Sequence, residues 1–408
     1  MESARKVVFV GCVVAVLASC ALGQDWPQWR GPGRDGKVKG FSAPQQWPGE
    51  LTQKWKTTVG LGCATPALVG DKLYAFARQG GEEVILCLST SDGKELWQDK
   101  YAAQEVTGAA GRHPGPRSSP AVAGGKVVTI GVGGVLSCLN AADGKVLWRK
   151  DPFPKVVPRF FTSMSPIIVD GMAIAHLGGQ DNGAIIAYDL TSGDEKWRWG
   201  GEGPAYASPA LLTVAGTKQI VTLSENSVVG IGVADGKLLW QRPFPPARRA
   251  YNAATPIIDG QTVIYTGAGR GTFAVKIAKQ GDAFVAQELW SNPDLAVQYN
   301  TPVLEGGRLY GLSNNGNLFC IDAKTGQTAW TDDTQRGRGG FGAMVDAGSC
   351  LLVLPSDSKL VVFKPDATQY SEIAHYTVSD TPTYACPVLA GKSLYVKDEQ
   401  TVTKWTID

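Results

Sequence analysis

The chain has 408 residues, with Lys+Arg 39 against Asp+Glu 37 and a net charge of +2, so it lacks the basic field of a dedicated nucleic-acid binder or a polybasic membrane-surface protein. Apolar residues at 43% exclude a disordered chain. Fifty glycines beside 12 Trp and 12 Tyr point to many turns joining aromatic-bearing strands, the usual glycine share being only ~7%.

Residues 1–23 read as a secretory signal. Arg5 and Lys6 supply charge, Val7 to Leu17 is nearly all apolar, and small residues follow. That run is too short to span a bilayer stably, and no later run is longer. Two processing sites compete. Ala21-Leu22-Gly23 puts small residues where a signal peptidase reads, for a mature start at Gln24, which is the preferred reading. Leu17-Ala18-Ser19-Cys20 resembles a bacterial lipobox and would place a lipid on Cys20. Both readings export the chain, as a periplasmic or secreted protein or a membrane-anchored lipoprotein. Residues 24–50 form a Trp/Pro/Gly-rich leader, and 51–408 are repetitive.

Trp55, Trp97, Trp148, Trp197, Trp240, Trp290 and Trp330, then Tyr376, recur at intervals of 40 to 51 residues. The segments before them are alike: CLSTSDGKELW, CLNAADGKVLW, AYDLTSGDEKW, GIGVADGKLLW and CIDAKTGQTAW. Gly93, Gly144, Gly193, Gly236 and Gly326 each lie four residues before the aromatic, where a glycine after Asp, Ser or Thr makes a hairpin turn. Upstream, ATPALVGDKLYAFA and seven related segments each read as a short strand, a turn and an alternating strand. Pro66, Pro120, Pro166, Pro209, Pro256, Pro302 and Pro387 open the short strand, where a missing N–H is tolerable; the seventh copy has Ala343-Met344 instead.

Each repeat therefore supplies four antiparallel strands. Eight such repeats predict an all-β, eight-bladed propeller over residues 51–408. The last copy stops at KWTID, one strand short, while LTQKWKTTVG before the first copy is an orphan Trp strand. The N-terminal strand is therefore expected to complete the C-terminal blade and close the ring, removing sheet edges.

Chemistry-bearing residues are sparse. Cys63, Cys87, Cys138, Cys320, Cys350 and Cys386 show no CxxC, and Cys87, Cys138 and Cys320 share one slot that Ala187 fills elsewhere, as small buried side chains would. His113, His176 and His375 are scattered, so neither a metal site nor a Ser-His-Asp triad is supported, and His176 reads as core. The glycines of 131–134 and 267–271 precede no helix and read as hairpin glycines.

The pattern A-x-D-x-x-[ST]-G-x-x-x-W, complete in AYDLTSGDEKW, resembles the repeat of the PQQ-like, quinoprotein-type β-propellers. DWPQWRGPGRDG (25–36) is similar to the leader of exported PQQ-like proteins of planctomycete-type bacteria. Two relatives within this resemblance imply different functions. Quinoprotein dehydrogenases, which use PQQ with calcium, are longer and carry an adjacent-cysteine disulfide and a calcium set that cannot be matched here. No catalytic residue and no metal ligand is therefore carried over. The propeller lipoprotein of outer-membrane barrel assembly matches better in length, repeat style and lipobox.

Loops from each Trp strand to the next Pro strand gather at one mouth of the ring. They carry Arg112, Arg117, Arg159, Arg248, Arg249, Arg336 and Arg338, and the aromatics Tyr206, Tyr299, Phe341 and Tyr384. Guanidinium forks suit carboxylates and phosphates, and the rings offer stacking surfaces. The expectation is a monomeric, non-enzymatic scaffold binding a protein or small anionic ligand there, without nucleic acid or cofactor. The alternatives are a PQQ-dependent oxidoreductase and a barrel-assembly-type lipoprotein.

Overall fold

The computed structural model describes residues 25–408. The signal segment, both processing sites and Cys20 lie outside the described residues. Eight four-stranded antiparallel sheets form the blades of an eight-bladed propeller. In blade I the strands run outward from the axis as Ala67–Val69, Lys72–Gln79, Glu82–Ser89 and Glu95–Ala102. Blades II to VII repeat this order. Blade VIII takes Val388–Ala390, Ser393–Lys397 and Thr401–Thr406 from the C-terminus and its outermost strand, Thr52–Thr58, from the N-terminus. The predicted closure is therefore made, by pairs from Thr52↔Thr406 to Thr58↔Thr401.

The motif glycines have a second cause beyond the turn. The repeat Trp of each outer strand, Trp240 excepted, lies against the turn of the following blade. Trp55 Nε1 donates to the Thr90 carbonyl, Trp148 Nε1 to Leu190, Trp197 Nε1 to Val233 and Trp290 Nε1 to Ala323, at 2.9–3.2 Å. A Cβ on Gly144 would stand 2.4 Å from the Trp97 ring, and one on Gly193 2.6 Å from Trp148. Both glycines also have φ of 74°. The motif is thus a contact between neighbouring blades, split between two repeats.

The shared cysteine slot has an equally simple reason. Cys87, Cys138 and Cys320 stand opposite Trp97, Trp148 and Trp330 on the adjacent strand, as Ala187 stands opposite Trp197. A large ring crossing the neighbouring strand leaves room there only for a small side chain. All six described cysteines are free, and five of them are buried.

Two positions break the Trp rule informatively. The Trp240 indole bonds Gln219 Oε1 at 2.7 Å within its own blade, folding over Gly230, where a Cβ would meet it at 2.1 Å. Tyr376 replaces Trp in blade VII because blade VIII has no turn before its outer strand. The chain instead arrives there from the leader, and Tyr376 Oη donates to the Pro48 carbonyl at 2.8 Å beside Trp47.

His176 is core, as its strand position implied. It is 2% exposed and its Nε2 donates to the Glu202 carbonyl at 2.9 Å. Burial pushes its pKa down to about 4, against ~6.5 for a free imidazole. Between those values the unfolded chain binds the proton that the folded chain refuses, so stability falls as pH drops from 6.5 toward 4. Desolvation raises Asp346 to about 6, which acts in the opposite sense over the lower part of that window. The wild type should therefore lose on the order of 2–3 kcal/mol from the His176 contribution, and a His176→Gln chain should lack that component. Urea midpoints of both chains across pH 4–7 check this; parallel curves would refute it.

Candidate functional site

A propeller built of short inner strands leaves a channel on its axis. Here the leader stops it from the side bearing the turns between first and second strands. Trp26 exchanges backbone hydrogen bonds with Leu68, Val122 N–H donates to the Pro27 carbonyl, and Asp346 N–H donates to that of Gly36. Asp25 Oδ1 accepts from the Gly70 N–H in a turn of that same side. Lys37 Nζ bridges Glu305 at 2.8 Å and Asp346 at 3.3 Å on neighbouring inner strands.

From this backbone two guanidiniums, each 3% exposed, reach along the axis to the start of the inner strands. Arg30 donates to the carbonyls of Thr301, Pro302 and its own Asp35 at 2.8–2.9 Å. Arg34 donates to Pro209 at 2.6 Å, Pro166 at 3.0 Å and Ser165 at 3.3 Å, and to Gln28 Oε1. Neither has a carboxylate in contact. Loss of water lowers Arg30 to about 10 and Arg34 to about 9, so both remain charged at neutral pH. The repeated prolines explain the wall they meet: a strand opening on Pro offers the axis a carbonyl and no N–H.

The opposite, loop-side mouth is ringed at one level. Counting three residues before each inner-strand Pro, or its equivalent Met344, gives Cys63, Arg117, Ser163, Tyr206, Ala253, Tyr299, Phe341 and Tyr384. The aromatics touch in series. Phe160 meets Tyr251 at 5.0 Å and Tyr206 at 6.2 Å, Tyr299 stacks on Phe341 at 4.1 Å and 2°, Phe341 meets Tyr384 edge-on, and Tyr384 meets His113 at 4.8 Å. Arg117 joins the two aromatic runs at one end by donating to the carbonyls of His113 (2.9 Å) and Phe160 (3.0 Å). Burial lowers its pKa.

Of the residues expected at this mouth, Arg117, Tyr206, Tyr299, Phe341 and Tyr384 are thus brought together. Arg112, Arg159, Arg248, Arg249 and Arg338 are exposed on the surrounding loops, Arg159 over the Phe160 ring. Arg336 is a correction. It is 7% exposed, paired with Asp332 and packed over the Tyr370 ring, so it braces its loop and offers no free guanidinium. The ion pair four residues apart, D-x-x-x-R, was the sequence signal for this.

Sequence reasoning missed three groups. The leader arginines carried no pattern that announced an axial location. Lys397, 1% exposed, donates from Nζ to the carbonyls of Gly60, Gly62, Asp398 and Glu399 at 2.7–3.1 Å, pinning the seam between blades VIII and I beside Cys63. Desolvation lowers its pKa to about 8. Glu83, whose pKa burial pushes up, accepts from Tyr101 Oη and the Val132 N–H and joins blade I to blade II.

A quinone held with calcium would need oxygen ligands for the metal at this mouth. The eight ring positions include no carboxylate, and among the described residues no three His, Cys, Asp or Glu gather as a metal site. Calcium needs six to eight oxygen ligands, typically with carboxylates among them. These residues do not fit that centre.

The model of the family described as outer membrane protein assembly factor BamB matches residues 81–332. Outer membrane protein assembly factor BamB of Yersinia pestis is 24% identical over 411 aligned residues, covering 96% of each chain. The crystal structure of BamB from Moraxella catarrhalis matches with a TM-score of 0.64 at 16% identity, over 87% of this chain and 97% of that one. Europium-containing methanol dehydrogenase matches with a TM-score of 0.72 at 12% identity, over 91% and 89%. The two structural likenesses show a common fold.

Proposed function

The chain belongs to the family of the outer membrane protein assembly factor BamB, and on that premise we propose that it is an exported, non-enzymatic scaffold holding a protein partner at its loop-side mouth. The observation that carries this is the arc of aromatic side chains joined through Arg117 at the loop-side mouth, on a channel stopped from the other side. Tyr299 and Phe341 are 37% and 36% exposed, an unusual state for large rings already stacked on each other. Aromatic and Arg side chains are the anchors that dominate protein interfaces. The outer Arg112, Arg159, Arg248, Arg249 and Arg338 favour acidic groups on the partner's rim and speed encounter. No cofactor enters the proposal.

We further propose, on the likeness of residues 25–36 to their leader, that the chain is one of the exported PQQ-like proteins of planctomycete-type bacteria. The leader's position also gives the two processing readings different geometry. Acylation at Cys20 would tether the chain five residues before Asp25, a reach of at most ~18 Å, and turn the stopped side to the membrane with the loop mouth facing away. Cleavage before Gln24 leaves a free periplasmic or secreted monomer.

Deleting the gene should reduce folded β-barrel protein in the outer membrane, read by heat-modifiable mobility, and the wild-type chain should restore it. A Tyr299→Ala/Phe341→Ala chain of unchanged melting temperature should bind its partner about 30-fold or more weakly, a loss of ~2 kcal/mol, and restore little. Full restoration would reject the loop-side site. An absent barrel defect in the deletion would reject the assembly role.

A further inference from the structure

We propose that the axial channel is a peptide-binding site for an arginine-bearing segment, filled in this chain by its own residues 25–38, and that this segment is a separable ligand of the ring. This inference is independent of the assembly reading. The segment forms hydrogen bonds with the inner strands or strand starts of blades I to VII, through Leu68, Val122, Pro166, Pro209, Thr301 and Asp346 among others, with Trp29 Nε1 donating to Thr255 Oγ1 at 2.9 Å. Such an all-round contact is the relation of a ligand to a socket.

The chemistry of recognition is specific. The wall presents backbone carbonyls, and the segment presents two planar forks of N–H donors whose charge is spread and weakly hydrated. A fork aims its N–H groups at separate carbonyls, whereas an ammonium gathers its acceptors around one point, as Lys397 does. The segment is also shaped to the socket. Arg30, Gly31, Arg34 and Gly36 all have positive φ, between 56° and 80°, which turns the chain tightly enough to send both guanidiniums up the axis. Gly31 lies under the Trp26 ring, where a Cβ would stand 3.1 Å away.

The covalent link is remote from these contacts. Lys39, Gly40, Ser42, Gln45, Gln46, Gly49 and Glu50 are exposed between the segment and the closing strand. Cutting there leaves both the channel contacts and the pairing of Thr52–Thr58 unbroken.

The test uses the full chain with a protease recognition sequence inserted after Gly40, cleaved once folded. The nicked leader should co-elute with the ring on gel filtration. A fluorescent synthetic peptide of residues 25–38 should replace it in a saturable, one-to-one manner. The same peptide carrying Arg30→Ala and Arg34→Ala should compete at least 100-fold more weakly. Unfolding of the ring on nicking would overturn separability. Failure of the labelled peptide to enter, or equal competition by the alanine peptide, would overturn the site. Excess peptide from a second copy of the chain, supplied as uncleaved protein, should not compete, because its own leader is seated.

Discussion

Removing residues 51–60 should abolish cooperative folding or lower stability by several kcal/mol. The deletion takes the whole outer strand of blade VIII, whose ladder with Thr401–Thr406 joins the chain's N-terminal part to its C-terminal part in that sheet. It also removes Trp55, 8% exposed, whose indole bonds the Thr90 carbonyl of blade I and meets Tyr395 at 5.9 Å. Loss of a buried Trp alone costs ~3–5 kcal/mol, and the exposed edge of Thr401–Thr406 would invite aggregation. Trp55→Ala isolates the side-chain part from the ladder. Guanidinium melts of the deletion and the point variant against wild type measure both; an unchanged midpoint for the deletion would exclude this closure.

Arg34→Ala should cost about 2–4 kcal/mol at pH 7, the order expected when hydrogen bonds to a buried charge are broken and their acceptors left dry. The desolvation that holds its pKa near 9 already opposes burial, so the net value of the guanidinium is smaller than its four hydrogen bonds suggest. Arg34→Met, which keeps the volume without the charge, should cost less than the alanine variant for that reason. Urea midpoints of the two variants, with equal m-values, decide the matter. If both equal wild type, the leader arginines contribute nothing to the closed ring.

The mouth was partly legible in sequence because it is built from the repeat itself. Tyr206, Tyr299, Phe341 and Tyr384 occupy one repeat position, so finding the repeat found the ring. Arg336 was misread because it was weighed as one of a set of loop arginines and not against Asp332 four residues before it, with which the structure pairs it. Lys397 looked like an ordinary strand residue, since its four carbonyl partners come from loops on either side of the chain's seam.

What the sequence by itself determined is the blade: four strands, a glycine turn, a proline entry and an outer Trp, repeated until one strand was missing and one left over. Periodicity carries that information because each blade uses the same local physics of turn, alternation and packing. Only the tertiary structure decided what lies on the axis. The leader occurs once, its guanidiniums bond carbonyls 131 to 272 residues away in sequence, and backbone acceptors are identical at every residue type. No pattern of side chains could have pointed to them until eight blades had been closed into a ring around that space.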